Sequence, residues 1–325
     1  MYEPALSAPA EGRDLEHLLA EAAKFISAAK ARSTRDAYTA DARDFAAFCK
    51  AHSLPSLPST SQAVALYITQ LARHATVATI RRRLAAINYT HREAGYSDSP
   101  ASARNNFIVR EVLNGIRRTR GTAQHGADPL LADAVKRIAA ACPDTLLGTR
   151  DRALVLCGFS GAFRRSELTH ILEVDDLTFT PQGLYIRLPR SKTDQEQAGR
   201  TVAIGLGEHE ESCPVRALRL WLNSAEIKSG PVFRAVDLKG RVSGTPLHPR
   251  SISKILKRAA QRAGIDPIKV SGHSLRAGMA TTAAIHGAEE REIARTTGHK
   301  TAAMVRRYIR DGELLRSNMT ARLGL

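Results

Sequence analysis

The chain has 325 residues, of which 43% are hydrophobic and 25% charged, and this composition excludes a disordered or a membrane-embedded polypeptide. Its 48 lysines and arginines outnumber its 32 aspartates and glutamates, and the formal net charge of +16 predicts a polyanionic partner, with nucleic acid as the first candidate. The sequence has neither an apolar run long enough to cross a bilayer nor the cysteine spacing of a zinc site, so we expect no membrane and no metal.

The N-terminal part of the chain is predicted to be helical after a short disordered tail over residues 1–13. Residues 1–18 lack the apolar core of a secretory signal, so we expect a cytoplasmic protein that associates with the nucleoid. Over residues 14–121 the apolar residues recur at helical spacing, and serine, threonine, proline and glycine divide them into four or five helices. We therefore predict an all-helical domain over residues 14–121.

This helical domain contains a dense group of arginines that are candidate DNA contacts. They are Arg73, Arg81, Arg82, Arg83, Arg117, Arg118 and Arg120. Contacts from arginine to phosphate give affinity and salt dependence but little sequence discrimination. The run Arg81–Arg83 also fits a solvated helix face, and that alternative stays open.

A second domain is predicted over residues 130–325. Residues 122–129 lack periodicity and are rich in polar residues, glycine and proline, which predicts a linker. Residues 183–206 alternate apolar and polar side chains in two arms around a polar turn, which is typical of a β-hairpin, and helical periodicity then returns. The predicted fold class is mainly α with a small β-sheet or hairpin, in one all-helical and one α+β domain.

Two short clusters in the second domain have side chains suited to binding an anion. Arg164 stands three positions before Glu167, so both can lie on one face of a helical turn, an arrangement that is most often a salt bridge. His273 and Arg276 have the same spacing, with a serine available to cap the start of a helix. Neither cluster is specific when it is taken alone.

A third cluster pairs a histidine with a tyrosine near the C-terminus. Tyr308 follows His299 by nine positions, which would place the two side chains on opposite faces of one straight helix. Thr301 is a possible N-cap between them. We therefore expect His299 to precede a helix that carries Tyr308, so that both can serve one site.

The order and spacing of these clusters resemble those of the tyrosine recombinase (phage integrase) family, in particular its Cre-like and Xer-like members, across nearly the whole chain. The matching family boxes are an arginine with an acidic partner, a lysine in a β-hairpin, a His-x-x-Arg box, and a His or Trp nine residues before the nucleophile. The resemblance implies a catalytic set, supported by Glu167, of Arg164, Lys192, His273, Arg276, His299 and Tyr308. Ala277 departs from the second histidine of many members, but Cre-like members also lack it.

The resemblance implies nucleophilic catalysis by Tyr308, which would attack a DNA phosphate and form a 3′-phosphotyrosine intermediate. A free tyrosine has a pKa of about 10, so a neighbour must take its proton. His273 is the implied proton acceptor, and Lys192 is the implied donor to the departing 5′ oxygen of deoxyribose.

The same resemblance assigns the phosphate itself to three other side chains. The planar guanidinium groups of Arg164 and Arg276 fit nonbridging oxygens, and His299 would add a hydrogen bond as charge develops. Because the phosphotyrosine bond retains the energy of the broken phosphodiester, the reaction needs no ATP, and we expect no metal and no other cofactor.

For its partners, the resemblance implies double-stranded DNA with an inverted-repeat core site and a homotetramer on that DNA, formed from a free monomer. The two domains would form a C-shaped clamp, with residues 14–121 as a core-binding, SAM-like domain. The apolar tail Asp311–Leu325 would dock on a neighbouring protomer or pack in its own domain, and both alternatives stay open. A mobile element is the expected genetic context.

Two other functions remain as alternatives. A type IB topoisomerase or a telomere resolvase would use the same chemistry, but the compact size of the chain favours a recombinase. A non-catalytic, sequence-specific DNA-binding regulator would bind its site without cleavage, and the complete set of six catalytic residue types argues against it.

Overall fold

A computed structural model of the chain describes residues 10–309, except for residues 97, 103–105, 122–127, 190–198, 238, 300 and 307. The chain divides into two compact units, Met1–His125 and Gly126–Leu325. The described residues are mainly helical with two small antiparallel sheets, which confirms the predicted fold class. The predicted domain limits and the clamp arrangement stay predictions. Among these residues, no helix combines the length and the apolar character needed to cross a bilayer.

The described part of the first unit contains five helices. They are α1 (Ala10–Ala28), α2 (Arg32–Ala51), α3 (Ser61–Leu71), α4 (Val77–Glu93) and α5 (Phe107–Arg120). Helix α1 begins at Ala10, before the predicted start at residue 14, because alanine and glutamate at its first positions have high helix propensity. The other four helices follow the apolar periodicity of the sequence.

Side-chain caps fix the starts of three helices in the first unit. Thr60, Thr76 and Asn106 each accept a hydrogen bond from the backbone N–H three residues further along, which satisfies one of the free donors of a first turn. Behind these caps, Phe45 and Ile80 are among the residues of one buried apolar cluster drawn from α2 to α5. This unit therefore has its own hydrophobic core.

The described part of the second unit combines helices with five short strands. The helices are α6 (Ala132–Ala140), α7 (Leu146–Ser160), α8 (Pro214–Ser224), α9 (Pro249–Arg262), α10 (Ser274–Ile285) and α11 (Glu290–Thr297). The strands are β1 (Leu177–Thr180), β2 (Gly183–Leu188), β3 (Arg200–Gly205), β4 (Arg234–Val236) and β5 (Val242–Pro246). Residues 302–306 and 308–309 are also helical.

The predicted hairpin consists of β2 and β3, which pair antiparallel with Leu188 opposite Arg200 at the end next to the connecting turn. Strand β1 adds to the other edge of β2, and β4 pairs with β5 in a separate sheet. These three strands were not predicted, because segments of three to five residues are too short to show a period of two.

Helix α10 lies close to the start of the second unit. The backbone N–H of Leu130 donates to the carbonyl of Ser274 at 3.0 Å. A Cβ atom on Gly278 would lie 1.8 Å from the carbonyl oxygen of Leu130, so only glycine permits this approach. The contact fixes the helix that begins directly after His273.

Candidate active site

The turn that follows α7 presents Arg164 together with its acidic partner. Helix α7 starts at the N-cap Thr145 and ends at Gly161. The Arg164 backbone N–H donates to Glu167 Oε2 at 2.8 Å, and Arg164 Nη1 donates to Glu167 Oε1 at 2.8 Å. The Glu167 side chain is fully buried, whereas that of Arg164 is 16% exposed. Glu167 therefore orients Arg164 from the buried side of the site, and the Arg164 guanidinium remains partly exposed.

Arg200 is a second cation on the same carboxylate, and it was not among the predicted site residues. Its Nη2 donates to Glu167 Oε2 at 3.2 Å, and its Nη1 donates to the carbonyl of Thr296. Burial lowers the pKa of this guanidinium from its ordinary value. Strand β3 is thereby tied both to the turn after α7 and to the end of α11. Arg200 is the first residue of a hairpin arm, and nothing in its local sequence indicates that it contacts residues 33 and 96 positions away.

Arg276 is buried in the first turn of α10, and only part of its guanidinium group is hydrogen-bonded within the described residues. The residue is 1% exposed, and its Nη1 donates to the carbonyl of Ala162 at 2.8 Å. Its Nη2 is also buried, and among the described residues it has no hydrogen-bond partner. Burial, and then the charge of Arg164, lower its pKa to about 10, so it stays protonated at neutral pH. A buried donor without an acceptor is costly, and a bound anion would satisfy it.

Tyr308 meets His273 at the edge of this group. Its Oη lies 2.9 Å from His273 Nε2, and the ring of His299 stacks on the Tyr308 ring at 5.8 Å with an interplanar angle of 23°. His299 precedes the helical residues 302–306 and Tyr308 lies in the helical residues 308–309, as the sequence analysis expected. The half-buried phenol is therefore held by one imidazole at its oxygen and by another at its ring.

The position of His299 follows from how α11 begins and ends. Helix α11 starts with a capping box between Glu289 and Glu292 and ends at Gly298, whose φ of 64° is left-handed. The left-handed turn at Gly298 directs His299 back toward the end of α11, where His299 Nδ1 lies 2.8 Å from Thr297 Oγ1. Burial is the largest cause that lowers the pKa of His299 to about 4, followed by the charge of Arg276. The imidazole is therefore neutral at pH 7.

Known proteins with similar sequences and structures bear on this arrangement. Residues 129–313 match the phage integrase family. An integrase/recombinase xerD homolog from Selenomonas ruminantium is 40% identical over 309 residues, which cover 95% of this chain and 90% of the relative. The chain belongs to the phage integrase family. The predicted assignment to tyrosine recombinases, enzymes that cleave and rejoin DNA, is therefore confirmed.

Other members of the family agree with this assignment. Recombinase cre of Escherichia phage P1 is 27% identical over 293 residues, which cover 83% of this chain and 81% of the relative. The solved structure of a lambda integrase(75–356) dimer bound to a COC′ core site covers 90% of this chain and 94% of its own, with a TM-score of 0.58 and 17% identity. At that identity the likeness shows the fold.

The phage integrase resemblance also predicted a catalytic lysine and an apolar tail that the structure does not reach. Lys192 and residues 310–325 lie outside the described residues. Strands β2 and β3, which precede and follow Lys192 in the sequence, are described. Arg200 at the start of β3 contacts Glu167. The end of one hairpin arm is therefore anchored to this site.

The arginines predicted to bind DNA in the first unit fall into two groups. Arg82 pairs with Asp41 at 2.6 Å, and Arg83 pairs with Asp44 and lies 3.8 Å from Asp41. The other five have exposed side chains and are Arg73, Arg81, Arg117, Arg118 and Arg120. A solvated helix face, the alternative for residues 81–83, describes Arg83 poorly, because its side chain is only 19% exposed.

Proposed function

We propose that this chain is a site-specific recombinase that cleaves and rejoins DNA through a 3′-phosphotyrosine intermediate on Tyr308. The observation that carries the proposal is the 2.9 Å contact between Tyr308 Oη and His273 Nε2. It lies in the group that contains Arg276 Nη2, a donor with no hydrogen-bond partner among the described residues. A nucleophile with a proton acceptor, next to an unsatisfied cation, is the arrangement that attack on an anionic ester requires.

The cations of the site would bind the scissile phosphate and stabilise its transition state. Arg164, Arg200 and Arg276 carry three positive charges close to Glu167, which leaves an excess of positive charge. Arg276 Nη2 has no protein acceptor among the described residues, and a nonbridging oxygen would supply one. Because the pentavalent transition state carries more charge on these oxygens than the ground state, fixed guanidinium groups lower the barrier.

Each bond and proton of the proposed cleavage step is accounted for. Tyr308 Oη forms a bond to phosphorus while the bond from phosphorus to the 5′ oxygen breaks, and the phenol proton passes to His273 Nε2. The 5′ oxygen takes a proton from Lys192 and leaves as a hydroxyl. Attack by the 5′ hydroxyl of another strand reverses these events and joins that strand, so the proposed cycle uses neither a metal ion nor ATP.

Strand exchange needs two duplexes in one assembly, and we include a homotetramer on paired inverted-repeat core sites in the proposal. The DNA-bound state of the structurally similar lambda integrase supports double-stranded DNA as the partner. The domain limits at residues 14–121, 122–129 and 130–325, and phosphate contacts from the exposed arginines of the first unit, belong to the same proposal.

The proposal is tested with nicked suicide duplexes made from the sequences that flank the gene. We expect a covalent protein–DNA adduct on a denaturing gel, and we expect Tyr308→Phe to abolish it without loss of DNA binding. Tyr185→Phe is the matched control, because Tyr185 on β2 is 48% exposed and is not one of the residues assigned to the site. Arg164→Lys should fail as well, since an ammonium cannot replace the planar fork.

Three outcomes would overturn the proposal in different ways. An adduct that persists in Tyr308→Phe would remove the nucleophile assignment. Site-specific binding by the wild-type chain without any adduct would indicate a non-catalytic regulator. Adduct formation with relaxation of supercoiled DNA, but without exchange between two marked duplexes, would indicate a topoisomerase-like reaction.

A further inference from the structure

The hydroxyl of Thr297 lies between the backbone of α11 and the ring of His299. Thr297 is fully buried, and its Oγ1 lies 2.6 Å from the carbonyl oxygen of Ile293, 3.3 Å from that of Ala294 and 2.8 Å from His299 Nδ1. A carbonyl oxygen only accepts hydrogen bonds, so the 2.6 Å contact requires the hydroxyl hydrogen to point at Ile293.

The direction of this hydrogen bond fixes the proton on the imidazole. A hydroxyl has one hydrogen, and that of Thr297 is used by the carbonyl of Ile293. Thr297 Oγ1 can then only accept from His299, so His299 Nδ1 carries a proton. In a neutral ring the other nitrogen, Nε2, is left with a lone pair and has no hydrogen to donate.

The surroundings of the ring keep it neutral in the DNA-free protein. Among the described residues, the ionisable groups whose charge or ring faces His299 come from the turn after α7, from β3, from the start of α10 and from the last helical residues. They are Arg164, Arg200, His273, Arg276 and Tyr308. Burial and the positive charges lower the pKa of His299 to about 4. Without DNA, the site therefore offers a hydrogen-bond acceptor at His299 Nε2.

The backbone around Thr297 leaves the ring little freedom. Gly298 adopts a left-handed conformation with φ of 64°, and a Cβ atom there would lie 3.1 Å from Arg200 Nε. The hydrogen bond from Arg200 Nη1 to the carbonyl of Thr296 holds the same turn. A half-turn of the His299 ring about its Cβ–Cγ bond would put Cδ2 in the place of Nδ1 and leave the Thr297 hydroxyl without a ring nitrogen as its partner.

We propose that Thr297 is a positioning residue that holds the proton of His299 on Nδ1, so that His299 donates to the DNA phosphate only after it takes up a second proton from solvent. The inference rests on the proposed function, since it concerns the same phosphate. An anionic oxygen beside Nε2 offsets the surrounding cations and stabilises the imidazolium. Productive engagement of the phosphate is thus linked to the uptake of one proton.

The first test examines the DNA-free chain and does not depend on activity. In nitrogen NMR of the histidine-labelled protein, with the His299 signals assigned by their loss in His299→Gln, we expect a protonated Nδ1 and a bare Nε2 at neutral pH. Thr297→Val keeps the shape of the side chain but removes the hydroxyl, and we expect the form protonated at Nε2 to appear. Thr297→Ser, which keeps the hydroxyl, should retain the wild-type form. A protonated Nε2 in the wild-type chain would refute the inference.

The second test measures the single-turnover rate of adduct formation on the suicide duplex against pH. We expect the wild-type rate to fall as the pH rises through the pKa of His299 in the complex, by about tenfold per pH unit for one proton. Thr297→Ser should show the same fall in rate at high pH. Thr297→Val should lose it, and so should His299→Trp, whose indole N–H donates without titrating.

The outcomes separate the inference from the function on which it rests. If the wild-type chain forms the adduct and its pH profile coincides with those of Thr297→Val and His299→Trp, the inference fails and the proposed function stands. If the wild-type chain forms no adduct with DNA that it binds specifically, the proposed function fails, and the tautomer found by NMR then decides whether Thr297 holds the proton.

Discussion

Loss of the buried charge of Glu167 should destabilise the second unit strongly. The carboxylate is fully buried and accepts hydrogen bonds from Arg164 and Arg200, whose side chains are 16% and 15% exposed. Glu167→Gln keeps the shape but removes the negative charge that both guanidinium groups contact, and it turns an amide N–H₂ toward one of them. Removal of one partner from a buried ion pair costs about 3–5 kcal/mol, and partial hydration of the arginines places this case near 3 kcal/mol.

The chain offers a specific probe for this prediction. Trp221 is its single tryptophan, is fully buried in the second unit and donates from Nε1 to the carbonyl of Val232 at 2.8 Å. Its fluorescence in a urea titration therefore follows the unfolding of that unit. With a denaturant slope of about 2 kcal/mol per molar, a loss of 3 kcal/mol lowers the urea midpoint by about 1.5 M.

The matched control replaces the same residue type in an exposed ion pair. Glu210 and Arg216 are separated by 3.6 Å, and their side chains are 81% and 50% exposed. Screening by solvent limits such a pair to about 1 kcal/mol or less, so Glu210→Gln should leave the midpoint of Trp221 fluorescence nearly unchanged. If Glu167→Gln shifts the midpoint no more than Glu210→Gln does, the buried-charge argument is refuted.

Further predictions concern packing and pH. Gly278→Ala places a Cβ atom 1.8 Å from the Leu130 carbonyl oxygen and should destabilise the second unit by about 1–3 kcal/mol. Gly115→Ala meets no neighbouring atom within 4 Å and should stabilise α5 by about 0.5–1 kcal/mol. Thermal unfolding followed by circular dichroism should show a lower midpoint for Gly278→Ala and a higher one for Gly115→Ala. Midpoints that shift in the same direction would contradict the reasoning. Folding lowers the pKa of His299 from 6.5 to about 4, so the unfolded chain binds the extra proton and stability falls as the pH drops across that window. In urea titrations, the free energy of unfolding of His299→Gln should fall less between neutral and acid pH than that of the wild-type chain. An equal fall in both would contradict the neutral imidazole.

Local patterns in the sequence were sufficient for much of the fold and for the list of candidate side chains. Helical periodicity and capping residues depend on neighbours three or four positions away, so α2 to α5 were predictable. The alternation over residues 183–206 predicted both arms of the hairpin, β2 and β3. Because nine positions would place His299 and Tyr308 on opposite faces of one helix, a shared site required His299 to precede the helix that carries Tyr308.

Arg200 and Thr297 show what such patterns miss. The partners of Arg200 are Glu167 and the carbonyl of Thr296, 33 and 96 positions away, and no local spacing encodes them. Thr297 is a neighbour of His299 in sequence, but its effect depends on the left-handed turn at Gly298 and on its burial. The protonation of a histidine is likewise set by whatever packs around it.

Short stretches of the chain specify the helical and hairpin segments and the residue types whose order is typical of a phage integrase, and the composition alone gives the excess of positive charge. The packing of the whole fold brings Tyr308 into contact with His273 and places the Thr297 hydroxyl against His299 Nδ1. It also buries Arg276, whose Nη2 has no hydrogen-bond partner among the described residues. No local pattern encodes these contacts, because burial and hydrogen-bond direction depend on segments distant in sequence, and they govern which groups are charged and which can donate.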